Sequence, residues 1–176
     1  MTGGAVTSAA PPSAPEETSV EPSRQPAHHP HVTAVVVLIA WWGFGNLYEA
    51  VVLMPWVWRL PPGSVPDEFA VGSPVFYFVP AVVALLVLLW ALVVRTHRGG
   101  AGSRRAVLRA AVLVTIAAAG TGVLVGVVNP TLRDPAASVA DVRSAVVVWE
   151  IGNAVRLALA VAAAVSLLRR PDDHAG

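Results

Sequence analysis

Four long, almost unbroken apolar blocks alternate along the chain with short polar or proline-rich stretches, at roughly 32–54, 75–94, 106–128 and 145–168. Each is close to the ~20 residues that a helix needs to cross the hydrocarbon core of a bilayer. A water-soluble bundle would show polar faces at helical spacing, whereas these blocks are apolar nearly all round. The pattern predicts an all-α fold, a four-helix transmembrane bundle over residues 32–170. Residues 1–31 are rich in Pro, Ala, Ser, Thr and Glu with no apolar run, which predicts a disordered tail, and 171–176 form a short second tail. The first apolar run comes too late and is too long for a signal peptide, so an uncleaved anchor is expected. Residues 60–73, with Pro61, Pro62, Gly63 and Pro66, are long enough to cap one end of the bundle.

Two polar motifs interrupt the apolar pattern. Asn46-x-x-Glu49 lies in the first block and Glu150-x-x-Asn153 in the last, as mirror images. In an antiparallel pair of spans the two motifs fall at one depth, with each Glu about 8 Å inside the end of its span at ~1.5 Å of rise per residue. Helical spacing adds Trp42 to the face of Asn46 and Glu49, sets Arg143 with Glu150, and aligns Trp149, Asn153 and Arg156. Charged and amide side chains at membrane depth are costly and mark working sites. The expectation is one cavity gathering Glu49, Glu150, Asn153 and Arg156 as reactive groups, with Asn46, Trp42, Trp149 and Arg143 contacting substrate.

Charge then orients the bundle. All twelve Lys+Arg residues are Arg, and the net charge is only +1. Arg95, Arg98, Arg104, Arg105 and Arg109 crowd the second connection, and Arg169 and Arg170 follow the fourth block. The other connections hold Arg59, Arg133 and Arg143 against Asp67, Glu68, Asp134 and Asp141. The positive-inside rule places both termini and the middle loop in the cytoplasm of a plasma (inner) membrane. Trp56, Trp58, Phe76, Tyr77 and Phe78 then form an outer aromatic belt, with Trp90 near the inner interface. Arg-only basicity with Ala, Val and Leu in excess of Ile fits a GC-rich, bacterial origin.

Composition also excludes chemistry. With 55% hydrophobic and 13% charged residues and no Cys, thiolate catalysis, disulfides and Cys-bound metals are out. No His falls within a block, which argues against haem, copper and two-His-one-carboxylate iron. His28-His29-Pro30-His31 reads as an incidental polar run, and no metal or other cofactor is expected. The Gly-rich stretch around Gly99 and Gly100 lacks the Gly-Lys-Ser/Thr ending of a phosphate-binding loop. The basic loop is accounted for by topology and by anionic lipid headgroups, with no nucleic-acid partner. Membrane lipids and a lipophilic small molecule are the expected partners. Small residues at Ala118, Gly122 and Gly126, and at Ala154, Ala158 and Ala162, predict close packing of the third and fourth spans within the bundle.

The remaining chemistry is carboxylate, amide and guanidinium. Two carboxylates in one low-dielectric pocket cannot both ionise cheaply, which suits one to general acid–base work or proton release. An arginine beside them can steady an anion.

Asn129-Pro130, followed about twenty residues later by Trp149-x-x-x-Asn153-x-x-Arg156, is similar to the anthrone oxygenase-like family of small four-span membrane proteins. Gly43, Gly45, Asn46, Glu49 and Pro55 in the first span share that character, so the resemblance covers about 32–168. In the family the position of Asn153 is often His. The resemblance implies cofactor-free oxygenation of an anthrone-like polyketide, with Glu49 or Glu150 as base and Arg156 or Asn153 steadying the anion. Glu49 preceded by Trp41 and Trp42 is also similar to the small multidrug-resistance exporters, which implies proton-coupled transport. A membrane accessory subunit, with the polar stripe pairing helices, is the third reading.

Overall fold

The computed structural model describes residues 1–2, 30–67, 69–71, 73, 75–96 and 101–169. The expected tails at 1–31 and 171–176 fall almost wholly outside the described residues, as do Glu68, Pro74, Arg98 and Arg170.

The protein is all-helical, with four helical rods long and apolar enough to cross a membrane: Pro30–Val57, Val75–Arg95, Gly102–Arg133 and Val139–Leu168. The first rod comprises α1 (Pro30–Tyr48), a π turn (Glu49–Leu53) and α2 (Met54–Val57). The second is α3 (Val75–Arg95). The third comprises α4 (Ala101–Val123), a π turn (Leu124–Val128) and α5 (Asn129–Arg133), and the fourth is α6 (Val139–Leu168). Each span packs on the next, and α1 closes the ring against α6. Short connections between antiparallel neighbours produce this up-down order.

Spans one and three run past the points where their apolar blocks end, and proline explains how. Pro55 and Pro130 have no N–H to offer the carbonyls of Val51 and Gly126, so an α-helix cannot continue unchanged. In both rods the residue just before the proline bonds one residue further back: Met54 N–H donates to the Glu49 carbonyl, and Asn129 N–H to the Leu124 carbonyl. Each π turn absorbs the proline and lets the rod go on.

The inward positions follow a regular seam. In α6 the run Val142, Val146, Trp149, Asn153, Arg156, Ala160, Ala163 and Leu167 alternates steps of four and three, with Ala145 buried beside it. Val35, Ile39, Trp42 and Asn46 do the same in α1, with Glu49 next in the series. Such a 3.5-residue period is that of knobs-into-holes packing. One apolar cluster (Val35, Ile39, Leu85, Leu89, Val114 and Ala163 among them) fills the arginine-rich end of the bundle. A second, built on Met54, Val57, Leu132 and Val146, fills the other end.

The predicted small-residue stripes do not pack the bundle. Gly122, Gly126, Ala154, Ala158 and Ala162 are exposed on its outer surface. Ala110, Ala117, Ala160 and Ala163, all at most 2% exposed, sit in the core where spans three and four meet. The seam, not the count of small residues, decides which of them face inward. The aromatic expectation needs one change too. Trp56, Trp58, Phe76 and Tyr77 are exposed, but Phe78 turns inward against Gly45. A β-carbon at Gly45 would stand 2.5–2.8 Å from carbons of the Phe78 ring. Gly45→Val is therefore expected to cost about 1–3 kcal/mol by overpacking, read as a lower thermal midpoint in detergent.

Candidate functional site

Between the two apolar clusters lies a polar layer. Asn46 and Glu49 on span one face Asn153 and Arg156 on span four, with Thr121 on span three completing it. All five except Glu49 and Thr121 are at least nine-tenths buried.

Arg156 organises the layer. Its Nη2 donates to Glu49 Oε2 at 3.2 Å and to Asn153 Oδ1, and its Nη1 donates to Thr121 Oγ1 at 3.0 Å. The guanidinium lies 5.7 Å from the centre of the Trp149 ring. Side chains on a helix lean toward its N-terminus, which carries this group from the Arg156 backbone up to the level of Glu49. Trp149 Nε1 adds a second donor to Glu49 Oε2, at 3.3 Å. Arg156 Nε and Asn153 Nδ2 are buried without an acceptor among the described residues.

Glu49 is asymmetric as a result. Both of its hydrogen bonds go to Oε2. Oε1 accepts none among the described residues, yet it is not among the sealed polar atoms. Glu49 is 17% exposed, and what it faces is a cavity of about 140 Å³. Trp42, Asn46, Phe78, Thr121 and Val125 line that cavity, together with Val65, Ser73 and Arg133 toward the end of the bundle that holds the second apolar cluster.

Val65 and Ser73, from the expected cap segment, line the cavity at this end. Arg133 Nε donates to the Pro66 carbonyl at 2.9 Å, and its Nη1 donates to Asn129 Oδ1. Gly63 adopts φ +75° directly against Pro135, where a β-carbon would stand 2.6 Å from the proline ring. The cap is thus tied at two points to the end of span three and the turn after it.

The eight residues singled out in the sequence divide into two groups. Glu49, Asn153, Arg156, Asn46, Trp42 and Trp149 come together at the polar layer, five of them lining the cavity and Asn153 backing Arg156. Glu150 and Arg143 do not join them. Glu150 is half-buried on the flank of α6, outside the cavity, and makes no hydrogen bond or ion pair among the described residues. Arg143 is exposed near the cap end, 5.4 Å over the Trp58 ring. The reason is helical phase: Glu150 is turned about 100° from its seam neighbour Trp149. The pair opposite Asn46-x-x-Glu49 is therefore Asn153-x-x-Arg156, not the mirrored Glu150-x-x-Asn153.

Two contributors escaped the sequence reading. Thr121 accepts from Arg156 and donates to the Ala117 carbonyl at 3.2 Å. Its signal was a hydroxyl seven positions from the buried Val114 along the seam, easily taken for helix filler. Phe78 was hidden among belt aromatics. Thr121→Val removes one acceptor from a buried guanidinium, so a loss of about 1–3 kcal/mol is expected in detergent unfolding.

Asn46 and Glu49 could offer a cation two oxygens from this layer, and among the described residues no three His, Asp or Glu side chains converge. Comparisons with family models, with curated proteins and with solved structures return no match.

Proposed function

We propose that this protein is a plasma-membrane enzyme whose cavity takes a lipophilic molecule and whose Glu49 removes a proton from it. The observation that carries this reading is the split role of Glu49: Oε2 is clamped by Trp149 and Arg156, while Oε1 is left open to an apolar cavity. A carboxylate held in one orientation beside a substrate is what general-base catalysis requires. Arg156 is a positioning residue in this scheme. Its bonds to Glu49, Asn153 and Thr121 hold the base, and its charge remains to balance the anion once Glu49 has taken the proton.

The resemblance of the span-one and span-four motifs supplies the reaction class, oxygenation of an anthrone-like substrate without a cofactor. The C–H proton passes to Glu49 Oε1, and the carbanion is oxidised by dioxygen as the new C–O bond forms to give a peroxide anion. Glu49 returns the proton to make the hydroperoxide, and O–O cleavage with loss of water gives the quinone and the Glu49 carboxylate. The cavity, about 140 Å³, matches a single ring, so a tricyclic substrate would place one ring in it and extend out through the open side. In the proposed orientation the arginine-rich end is cytoplasmic and the cap lies outside, so substrate arrives from the outer leaflet.

Oxygen uptake by the purified full chain with anthrone tests the reading. Uptake that Glu49→Gln abolishes is expected, and no uptake by the wild type would remove the oxygenase assignment. Proton-coupled export is favoured instead by one observation, the two proline-linked π turns at the level of the polar layer. Proton release on adding a lipophilic cation, without oxygen uptake, would select that reading.

A further inference from the structure

Deep in the cavity, the open polar atoms on span one are acceptors. Asn46 Nδ2 donates to the Trp42 carbonyl at 3.1 Å. That bond settles which way the amide faces, because the opposite rotamer would set oxygen against oxygen. Asn46 Oδ1 is therefore directed away from Trp42. It accepts no hydrogen bond among the described residues and, like Glu49 Oε1, is not sealed from the cavity that Asn46 and Glu49 both line. The two residues are three positions apart, on one face of the rod.

The donors of the polar layer are turned elsewhere. Trp149 Nε1 points to Glu49 Oε2, and the Thr121 hydroxyl donates to the Ala117 carbonyl. Arg156 Nε and Asn153 Nδ2 lack acceptors among the described residues, but both atoms are sealed by their surroundings. The walls opposite are apolar, from Phe78, Val79, Val82 and Val125. The Glu49 charge is already met by Arg156 at 3.2 Å, so the acceptor pair offers hydrogen bonds rather than a net charge.

We infer that Asn46 Oδ1 and Glu49 Oε1 form a subsite for a neutral, lipophilic ligand that presents an O–H or N–H donor. This rests on the reading of the cavity as a small-molecule site, and it narrows the substrate class. A ring bearing a hydroxyl satisfies an acceptor that its methyl ether leaves unpaired, and at membrane depth an unpaired polar group is costly. A cavity of about 150 Å³ holds a single benzene ring, close to the volume here.

Phenol and anisole, its methyl ether, are therefore suitable probes. Their binding to the full chain in lipid nanodiscs can be measured by equilibrium dialysis, with empty nanodiscs as the partition control. Phenol is expected to bind about 3- to 10-fold more tightly than anisole. Asn46→Leu, which leaves Glu49 Oε1 as the remaining acceptor of the pair, should lower that ratio. Equal binding of the two probes by the wild type overturns the inference. So does an unchanged ratio in Asn46→Leu. The wild-type ratio decides the matter even where Asn46→Leu does not fold. Phenol preference without oxygen uptake removes the oxygenase reading and leaves the subsite. Oxygen uptake without phenol preference does the reverse.

Discussion

Arg156→Ala is expected to destabilise the bundle by about 3–5 kcal/mol, the cost of stripping one partner from a buried ion pair. The guanidinium is 3% exposed and serves Glu49, Asn153 and Thr121 at once. Its removal leaves Asn153 Oδ1 and Thr121 Oγ1 without the donor shown here, and the Glu49 carboxylate without its counter-charge and with only the Trp149 indole. Arg156→Lys should recover only part of the loss, because an ammonium lacks the planar fork that reaches all three. The decisive variant is the double replacement Glu49→Leu with Arg156→Leu. Removing both charges together relieves the imbalance, so the double variant should be more stable than the single Arg156→Leu. Unfolding in mixed micelles measures all four. A double variant less stable than Arg156→Leu alone would show that the pair does not carry this energy.

Glu49→Gln should lower oxygen uptake by about 10²–10⁴-fold while the bundle stays folded. The amide oxygen of glutamine can still accept from Trp149 and Arg156, so the clamp on that side of the residue survives in weaker form. Loss of charge assistance from one hydrogen-bond pair costs about 1–2 kcal/mol, which a bundle with two intact apolar clusters tolerates. What glutamine cannot do is take the proton at the position of Oε1. Turnover and stability should therefore separate in this variant, whereas they fall together in Arg156→Ala. An unchanged rate at matched helical content would exclude Glu49 as the base.

The difference between these two residues was only half legible in the sequence. Glu49 and Arg156 both stood out as charges inside apolar blocks, and the Arg-poor connections placed Glu49 nearer one end of the bundle. Glu150 stood out equally well, and nothing in its neighbourhood distinguished it from Glu49. In a soluble helix the buried face betrays itself by contrast with a polar one. In α6, Val147, Val148 and Ile151 are exposed and Val142 and Val146 are buried, so the contrast is missing. The same blindness put the small residues of spans three and four into the core, and Phe78 into the outer belt.

The proline residues show the opposite case. Pro55 and Pro130 were plain in the chain, but they read as ends of apolar blocks. Only the five-residue steps from Glu49 to Met54 and from Leu124 to Asn129 reveal that both rods continue. That continuation brings Met54, Leu132 and Arg133 over the cavity and gives the cap its anchor.

By itself, then, the sequence determined an all-helical chain of four membrane-length rods with costly polar groups in the first and the last, because length and hydropathy are properties of each segment alone. The tertiary structure decided which groups meet. Facing is set by the seam between neighbouring spans, and in a chain apolar on both its lipid and its core side, that seam is written only in the packing.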